Sequence, residues 1–230
     1  MHDTKKMSTK VEIQNKSSEA TREKLIEAGL RLFAEFGIDG VRTRALADAA
    51  GVNQAAIPYH FGGKEGVYTA VIDAIAKEIA GGLSATGLLK ISTAENETMS
   101  REQCQATLRT LIRAFTVLIL SPGRSTDRTL LIVREQLRPT ENFDLLFKNF
   151  IEPIHETLSG LIARLNDGRA DSENTTIRAH AIIGQVLAFA VAQHSYLTRS
   201  GNPNLSLEKV EEIADVISEM AVVSADFKVA

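Results

Sequence analysis

The sequence predicts an all-α protein of about nine helices. Apolar residues recur at the i, i+3, i+4 spacing of a helix face along most of the chain, and no stretch shows the sustained alternation of a half-buried strand. Glycine and proline fall between these periodic stretches, where helices would end. The 230 residues, 44% apolar and 24% charged, are typical of a globular protein with a sizeable core.

The composition also limits where the protein works. The only cysteine is Cys104, so no internal disulfide can form, and no apolar signal segment follows Met1. The longest apolar run, 179–192, is shorter than a membrane span. We therefore expect a soluble, cytoplasmic protein without a membrane partner. Residues 1–64 hold ten Lys/Arg and eight Asp/Glu and the rest sixteen and twenty-one, so the N-terminal part is mildly basic and the remainder acidic, although a mildly acidic chain could divide this way by chance.

The N-terminal residues predict an arm and then a helix. Residues 1–17 are polar, with scattered lysines, and are expected to form a disordered or flexible arm. A helix follows over about 18–36, with Ser18 or Thr21 as its cap, and Gly37 ends it. Its apolar face holds Leu25, Gly29, Leu32, Phe33 and Phe36.

The stretch 42–64 predicts a helix-turn-helix. Thr43 would cap the first of the two helices, and Gly51 ends it where a left-handed residue is wanted. Asn53 would cap the second helix through its side-chain oxygen. Two helices joined this tightly present the second one to the DNA major groove. Pro58 lies inside that helix and predicts that it is short or bent. The two helices would cover residues 44–50 and 54–60.

Eight residues of this stretch are expected to meet DNA on chemical grounds. Arg42, Thr43 and Arg44 lie at a helix N-terminus, where free N–H groups and the helix dipole favour phosphate; the alternative is two solvated arginines beside an ordinary cap. Asn and Gln can pair with adenine edges, Ala can pack on a thymine methyl group, and Tyr and His more often contact phosphates. The side chains expected to be exposed on the second helix are Asn53, Gln54, Ala55, Tyr59 and His60.

Five further helices are predicted after a fourth helix that runs from Lys64 to about Leu83. Residues 84–100 are rich in Ser, Thr and Gly and are expected to form a loop. Pro153 is expected to kink the third helix of the five. Their periodic patterns cover residues 104–119, 130–137, 143–165, 174–199 and 206–224.

Several motifs of residues 18–68 occur together: Phe-Ala-Glu-Phe-Gly up to Gly37, Leu46-Ala47 with Ala50-Gly51-Val52, Tyr59-His60-Phe61, and Lys64-Glu65 followed by Tyr68. Taken jointly they resemble the N-terminal DNA-binding domain of the TetR family of bacterial transcriptional regulators. The resemblance implies an all-helical, TetR-like dimer that a small ligand releases from its operator. Pro58 stands where the motif more commonly has Leu. The matching positions that the resemblance implies to face DNA are Thr43, Arg44, Asn53, Gln54, Ala55, Tyr59, His60 and Lys64.

The middle of the chain carries a second resemblance. Arg134-Glu135, then Arg138-Pro139-Thr140, then Pro153, then Gly184-Gln185 are similar to the CecR (CerR-type) branch of the same family. The two resemblances imply three regions. These are an arm over 1–17, a helix-turn-helix domain over 18–66, and a helical ligand-binding and dimerisation domain over 67–230.

The last two predicted helices suggest a dimer interface. Small residues on one face of helix 174–199 would let another helix approach closely, and the last helix carries a matching stripe. Paired with their symmetry mates, the two helices would form a four-helix interface; the alternative is one large monomeric core. The residues assigned to the interface are Ala181, Gly184, Ala188, Ala192, Ser195, Val210, Ala214, Ile217 and Ala221.

Five polar residues that interrupt apolar helices are the candidates for ligand contacts: Arg113, Arg134, His155, Gln185 and His194. Each could equally be a surface-reaching side chain or a hydrogen-bonded core residue. The histidines show no paired metal spacing, and Ser206-x-x-Lys209 is more typical of a helix cap than of a nucleophile, so we expect no cofactor, no metal and no enzyme.

These patterns together predict a repressor that binds a palindromic operator as a homodimer and responds to a small-molecule effector. Two alternatives from other classes remain open at this point. One is a helical protein-interaction module without DNA binding, and the other is a small all-helical hydrolase.

Overall fold

The computed structural model of the protein describes residues 3–87, 89, 98–122 and 126–227. These residues are helical or lie in turns, with no strand among them. The predicted all-α fold is therefore confirmed for the described part of the chain. Most of the predicted loop 84–100, and Gly123 at the end of a predicted helix, lie outside the described residues. The chain divides into two compact units, Met1–Ala74 and Ile75–Ala230.

The N-terminal unit is built from four helices. They are α1 (Asp3–Gly40), α2 (Thr43–Ala50), α3 (Ala56–Phe61) and α4 (Lys64–Ser84). The boundary between the two units falls inside α4, whereas we predicted a domain boundary at residue 66, near the start of the same helix.

Helix α1 is longer than predicted. Its backbone is helical from Asp3, so residues 3–17, for which we expected a flexible arm, continue the helix. Neither Ser18 nor Thr21 caps it; Thr21 instead donates its hydroxyl hydrogen to the carbonyl of Ser17 within the helix. At Gly37 the backbone turns to φ 70° and ψ 171°, which kinks the helix where we predicted its end.

The core of the N-terminal unit lies between α1, α2, α3 and the start of α4. Phe33 and Tyr68 meet edge to face, with ring centroids 5.1 Å apart. Gly29 lets α1 lie close to α4, because a Cβ there would lie 3.0 Å from Cγ2 of Val71. Phe36, predicted for the same buried face, is instead 53% exposed. Among the fully buried side chains are Leu25, Phe33, Leu46, Ile57, Val67, Tyr68 and Ile72.

The C-terminal unit contains the rest of α4 and seven more helices. They are α5 (Arg101–Leu120), α6 (Thr126–Leu137), α7 (Phe143–Leu146), α8 (Glu152–Leu165), α9 (Glu173–Val191), α10 (Gln193–Ser200) and α11 (Leu207–Asp226). A π-helical turn, Phe147–Ile151, separates α7 from α8, so the predicted helix 143–165 is interrupted just before Pro153. The predicted helix 174–199 is in fact two helices, α9 and α10, bent by 69°.

Helices α5 and α11 run antiparallel and are joined by a row of ion pairs along one side. Arg101 pairs with Asp226, Arg109 with Glu219, and Arg113 with both Glu211 and Asp215. Apolar residues of α5, α8, α9 and α11 are buried beneath them, and Cys104 is among these. Burial raises the pKa of the Cys104 thiol, which therefore stays protonated at neutral pH.

Candidate DNA-binding interface

The turn between α2 and α3 has the geometry that the sequence predicted for its first half. Gly51 adopts φ 63° and ψ 38°, and its N–H donates to the carbonyl of Asp48. The N–H of Val52 donates to Ala47 at 3.0 Å. These bonds satisfy the last carbonyls of α2 and turn the chain sharply towards α3.

The start of α2 differs from the prediction. Thr43 is the first residue of the helix and not its cap, and Arg42, which precedes it, makes no side-chain cap hydrogen bond. The Thr43 hydroxyl instead accepts a hydrogen bond from Nε2 of Gln54 at 3.1 Å. Arg42 and Arg44 are exposed at this helix N-terminus, and Arg44 lies 3.8 Å from Asp48 one turn further on.

The beginning of α3 is shifted by two residues from its predicted position. Oδ1 of Asn53 accepts a hydrogen bond from the N–H of Ala55 at 2.8 Å, as a capping side chain does, but the helix starts only at Ala56. Pro58 therefore falls within the first turn, where its missing N–H removes no helical hydrogen bond. The helix is short, as predicted, and Pro58 does not break it.

The outward side of α3 carries exposed hydrogen-bonding groups while Ile57 anchors its inward side in the core. The Tyr59 side chain is 82% exposed, and its ring meets His60 edge to face at 4.8 Å. Thr43, His60 and Lys64 are half-buried. The exposed members of the predicted set are Arg42, Arg44, Asn53, Gln54, Ala55 and Tyr59.

One residue near this surface was missed by the sequence analysis. Arg22 of α1 donates from Nη1 to the backbone carbonyl of His60 at 2.7 Å. Its guanidinium carbon also lies 4.4 Å from the centre of the Phe61 ring. These residues are far apart in the sequence, so no local pattern connects them.

The comparisons with known proteins agree with this geometry. Residues 25–71 match the family model described as bacterial regulatory proteins of the tetR family, and residues 104–226 match the C-terminal domain of the HTH-type transcriptional dual regulator CecR. A protein of that name from Shigella flexneri is 30% identical over 204 residues, which are 87% of this chain and 89% of the relative. The chain belongs to the TetR family, in its CecR branch.

Other known proteins match over a shorter stretch or at a lower sequence identity. The tetracycline repressor protein class D of Escherichia coli is 43% identical over 58 residues, 25% of each chain. Crystal structures of a transcriptional regulator from Rhodococcus and of Mycobacterium smegmatis AmtR share the fold, with TM-scores of 0.60 and 0.58. The Rhodococcus regulator is 16% identical, and the match covers 90% of this chain and 98% of that one. AmtR is 21% identical, and the match covers 91% of this chain and 87% of that one. The family consists of transcriptional regulators and not enzymes, so the hydrolase alternative is wrong.

The C-terminal unit of this TetR-family chain contains a groove of about 1010 Å³ beside α8 and the start of α9. Aromatic and polar side chains line it together, and the His155 and His180 rings are stacked with centroids 5.5 Å apart. Burial, and then the neighbouring His180, lower the pKa of His155. Among the lining residues are Phe143, Phe147, His155, Ser159, Leu161 and His180.

Of the five residues predicted to contact a ligand, only His155 lines this groove. Arg113 forms ion pairs with Glu211 and Asp215 of α11 and does not line the groove. His194 is exposed on α10. Arg134 is half-buried on α6, and Gln185 has a buried Oε1 atom without a hydrogen-bond partner.

The two stripes predicted for a dimer interface differ in their exposure to solvent. Ala181, Gly184 and Ala188 are exposed along α9, and Ala192 and Ser195 are exposed at and beyond its bend. The stripe of the last helix was assigned to the wrong side, because all four of its residues are buried inside the chain. They are Val210, Ala214, Ile217 and Ala221. The side of α11 that is exposed carries Val216, Met220 and Val223 instead.

No single helix in the described part of the chain is both long and apolar enough to cross a membrane. The bent pair α9 and α10 reaches the length and composition of a span only when its two helices are taken together. No group of three or more His, Cys, Asp or Glu side chains in that part is arranged to hold a metal ion.

Proposed function

We propose that this regulator is a repressor that binds a palindromic operator as a homodimer in the cytoplasm and is released by a small-molecule effector. The observation that carries the proposal is the exposed outer side of α3. Tyr59 on that helix, and Asn53 and Gln54 just before it, offer hydrogen-bonding groups to a duplex while Ile57 holds the helix from behind. The contacts assigned to DNA remain the nine predicted from the sequence, Lys64 included.

A mobility-shift titration with the promoter fragment upstream of its own gene tests this function. The protein should shift that fragment, and the affinity should fall steeply as salt rises because phosphate contacts displace counterions. Exchange of Lys64 for Ala should weaken binding to all sequences. A folded dimer that shifts no fragment at low salt would instead support the alternative of an interaction module without DNA binding.

The proposed dimer uses the exposed apolar sides of α9 and α11. Ala181, Gly184 and Ala188 form a stripe on α9, and Met220 and Val223 lie on the outer side of α11. Exposed small and apolar residues on two neighbouring helices are typical of an interface between copies. Arg178 joins the two helices, since it donates from Nη1 to the carbonyl of Phe227 at 2.5 Å.

Charge placed on this surface should produce monomers. Val223→Lys is expected to dissociate the dimer in sedimentation-velocity experiments without lowering helix content. Leu207→Lys is the matched control, because Leu207 is comparably exposed on the same helix. It lies near the other end of α11 and on nearly the opposite side of the helix from Val223. If both variants remain dimeric, another surface holds the copies together.

The effector site is proposed to be the groove that His155 and His180 line. Its lining combines the aromatic rings of Phe143 and Phe147 with many polar and charged side chains, which suits a ligand that carries both apolar and polar groups. A thermal-shift screen of a drug-like compound library should find compounds that raise the melting temperature of the unaltered protein but not of His155→Leu. The control is His194→Leu, outside the groove. If the compounds raise the melting temperature of both variants as much as that of the unaltered protein, the effector binds elsewhere.

Activation is a second candidate function, because the relative from Shigella flexneri is named a dual regulator. A reporter driven by each shifted promoter distinguishes the two. Deletion of the regulator should raise expression if it represses and lower expression if it activates.

A further inference from the structure

Helix α3 is too short to define its own orientation. It has six residues, and an isolated helix of this length is unstable in water. Pro58 contributes no N–H to it. Ile57 anchors the middle of the helix in the core, so the direction in which α3 presents Tyr59 is set by that anchor together with the contacts that hold its two ends.

The two ends of α3 are held by different chemistry. Before its start, the Asn53 turn and the hydrogen bond from Gln54 to Thr43 are contacts between exposed groups. At its end, the carbonyl of His60 is one of the last helical carbonyls and receives a charged donor, Nη1 of Arg22, at 2.7 Å. The same guanidinium lies 4.4 Å from the centre of the Phe61 ring.

We propose that Arg22 is a positioning residue for operator recognition, which fixes the C-terminal end of α3 against α1. A planar guanidinium can donate to a carbonyl and lie flat over a ring at the same time, whereas the ammonium group of Lys is a compact point charge with no plane to stack on the ring. Arg22 acts through His60 and Phe61 and does not itself contact the bases. It thus sets the angle at which Tyr59 and its neighbours enter the groove.

This role predicts a loss of specific binding without a loss of phosphate contacts. The probe is the duplex that the unaltered protein selects most strongly from a random-sequence pool, and poly(dI-dC) is the non-specific competitor. Arg22→Gln should weaken binding to the selected duplex about 10-fold or more, as expected when a charged hydrogen bond and a cation–π contact are lost. Affinity for poly(dI-dC) and the salt dependence should stay within about 2-fold of those of the control variant.

The matched control is Lys24→Gln, which removes the same charge from an exposed position two residues away on α1. Arg22→Lys should lose most of the specific affinity although it keeps the charge. A variant with Phe61→Leu should lose part of it, and adding Arg22→Lys to Phe61→Leu should cost less than Arg22→Lys alone. If Arg22→Gln does not fold, the Arg22→Lys and Phe61→Leu pair carries the test.

Two results would overturn the role of Arg22. One is an equal loss on both DNAs together with a salt slope lowered by about one, since that makes Arg22 a phosphate contact. The other is unchanged specific affinity in Arg22→Lys and Arg22→Gln. The role of Arg22 rests on the proposed operator binding, but different results contradict the two proposals. If the unaltered protein selects no duplex, operator binding fails first.

Discussion

Nε2 of Gln54 donates a hydrogen bond to Oγ1 of Thr43 at 3.1 Å, which links two of the residues assigned to DNA. The bond ties the first turn of α2 to the approach to α3. If Gln54 meets a base, as proposed, its amide is already held before DNA arrives and less of its rotamer entropy is lost on binding.

Thr43→Val tests the value of this arrangement, because valine keeps the shape and removes the acceptor. Specific affinity for the selected duplex should fall about 2-fold to 10-fold, the effect of one net hydrogen bond, and discrimination at the base that Gln54 reads should relax. Competition binding against single-base variants of the duplex measures both. Thr21→Val, which removes a hydroxyl bonded only within α1, should change neither. Equal losses in the two variants would count against the arrangement.

The sequence was sufficient for the parts of this site that depend on neighbouring residues. Gly51 signals a left-handed helix end, and Asn53 signals a capping turn, because both act within a few residues. The contact from Arg22 to His60 joins positions 38 apart, so no spacing rule could find it. It follows from how α1 packs beside α3.

The last helix shows a second limit of sequence patterns. Periodicity identified a face with Val210 and Ile217, but it could not say whether that face meets the chain's own core or another copy. The structure places this face in the core of the chain. Val216 and Val223, which lie on the other side of the helix, are exposed. The bend at Ala192 was likewise hidden, since neither Pro nor Gly marks it.

Tyr59→Ala should separate DNA binding from folding. The side chain is 82% exposed, so its removal leaves no cavity, and the melting temperature should stay within about 2 °C of the original. Specific DNA affinity should fall about 10-fold, because the proposal assigns the exposed Tyr59 side chain to a contact with the duplex. Phe36→Ala removes another exposed aromatic ring from the same unit and should leave DNA binding unchanged. A loss of affinity confined to Phe36→Ala would move the docking surface to α1.

Gly66→Ala should destabilise the N-terminal unit. A Cβ at this position would lie 1.8 Å from the carbonyl oxygen of Phe61, so α4 and the end of α3 would have to separate. We expect a loss of at least about 2 kcal/mol in the free energy of unfolding by urea. Gly81→Ala is the control on the same helix, where a Cβ meets nothing within 4 Å, and it should be neutral or stabilise by up to about 1 kcal/mol. Comparable stabilities for the two variants would contradict the close packing at Gly66.

Acid should weaken the C-terminal unit through His155. Burial and the stacked His180 lower the pKa of His155 in the folded protein, so the unfolded chain binds a proton more readily. Stability is therefore greatest above the ordinary pKa of about 6.5 and falls as the pH drops from there to the lower folded value. The midpoint of urea unfolding, followed from pH 7.5 to 5, should fall less steeply in His155→Asn than in the unaltered protein. His194→Asn, at an exposed histidine, should keep the original slope, and a reduced slope in that variant instead would assign the proton to α10.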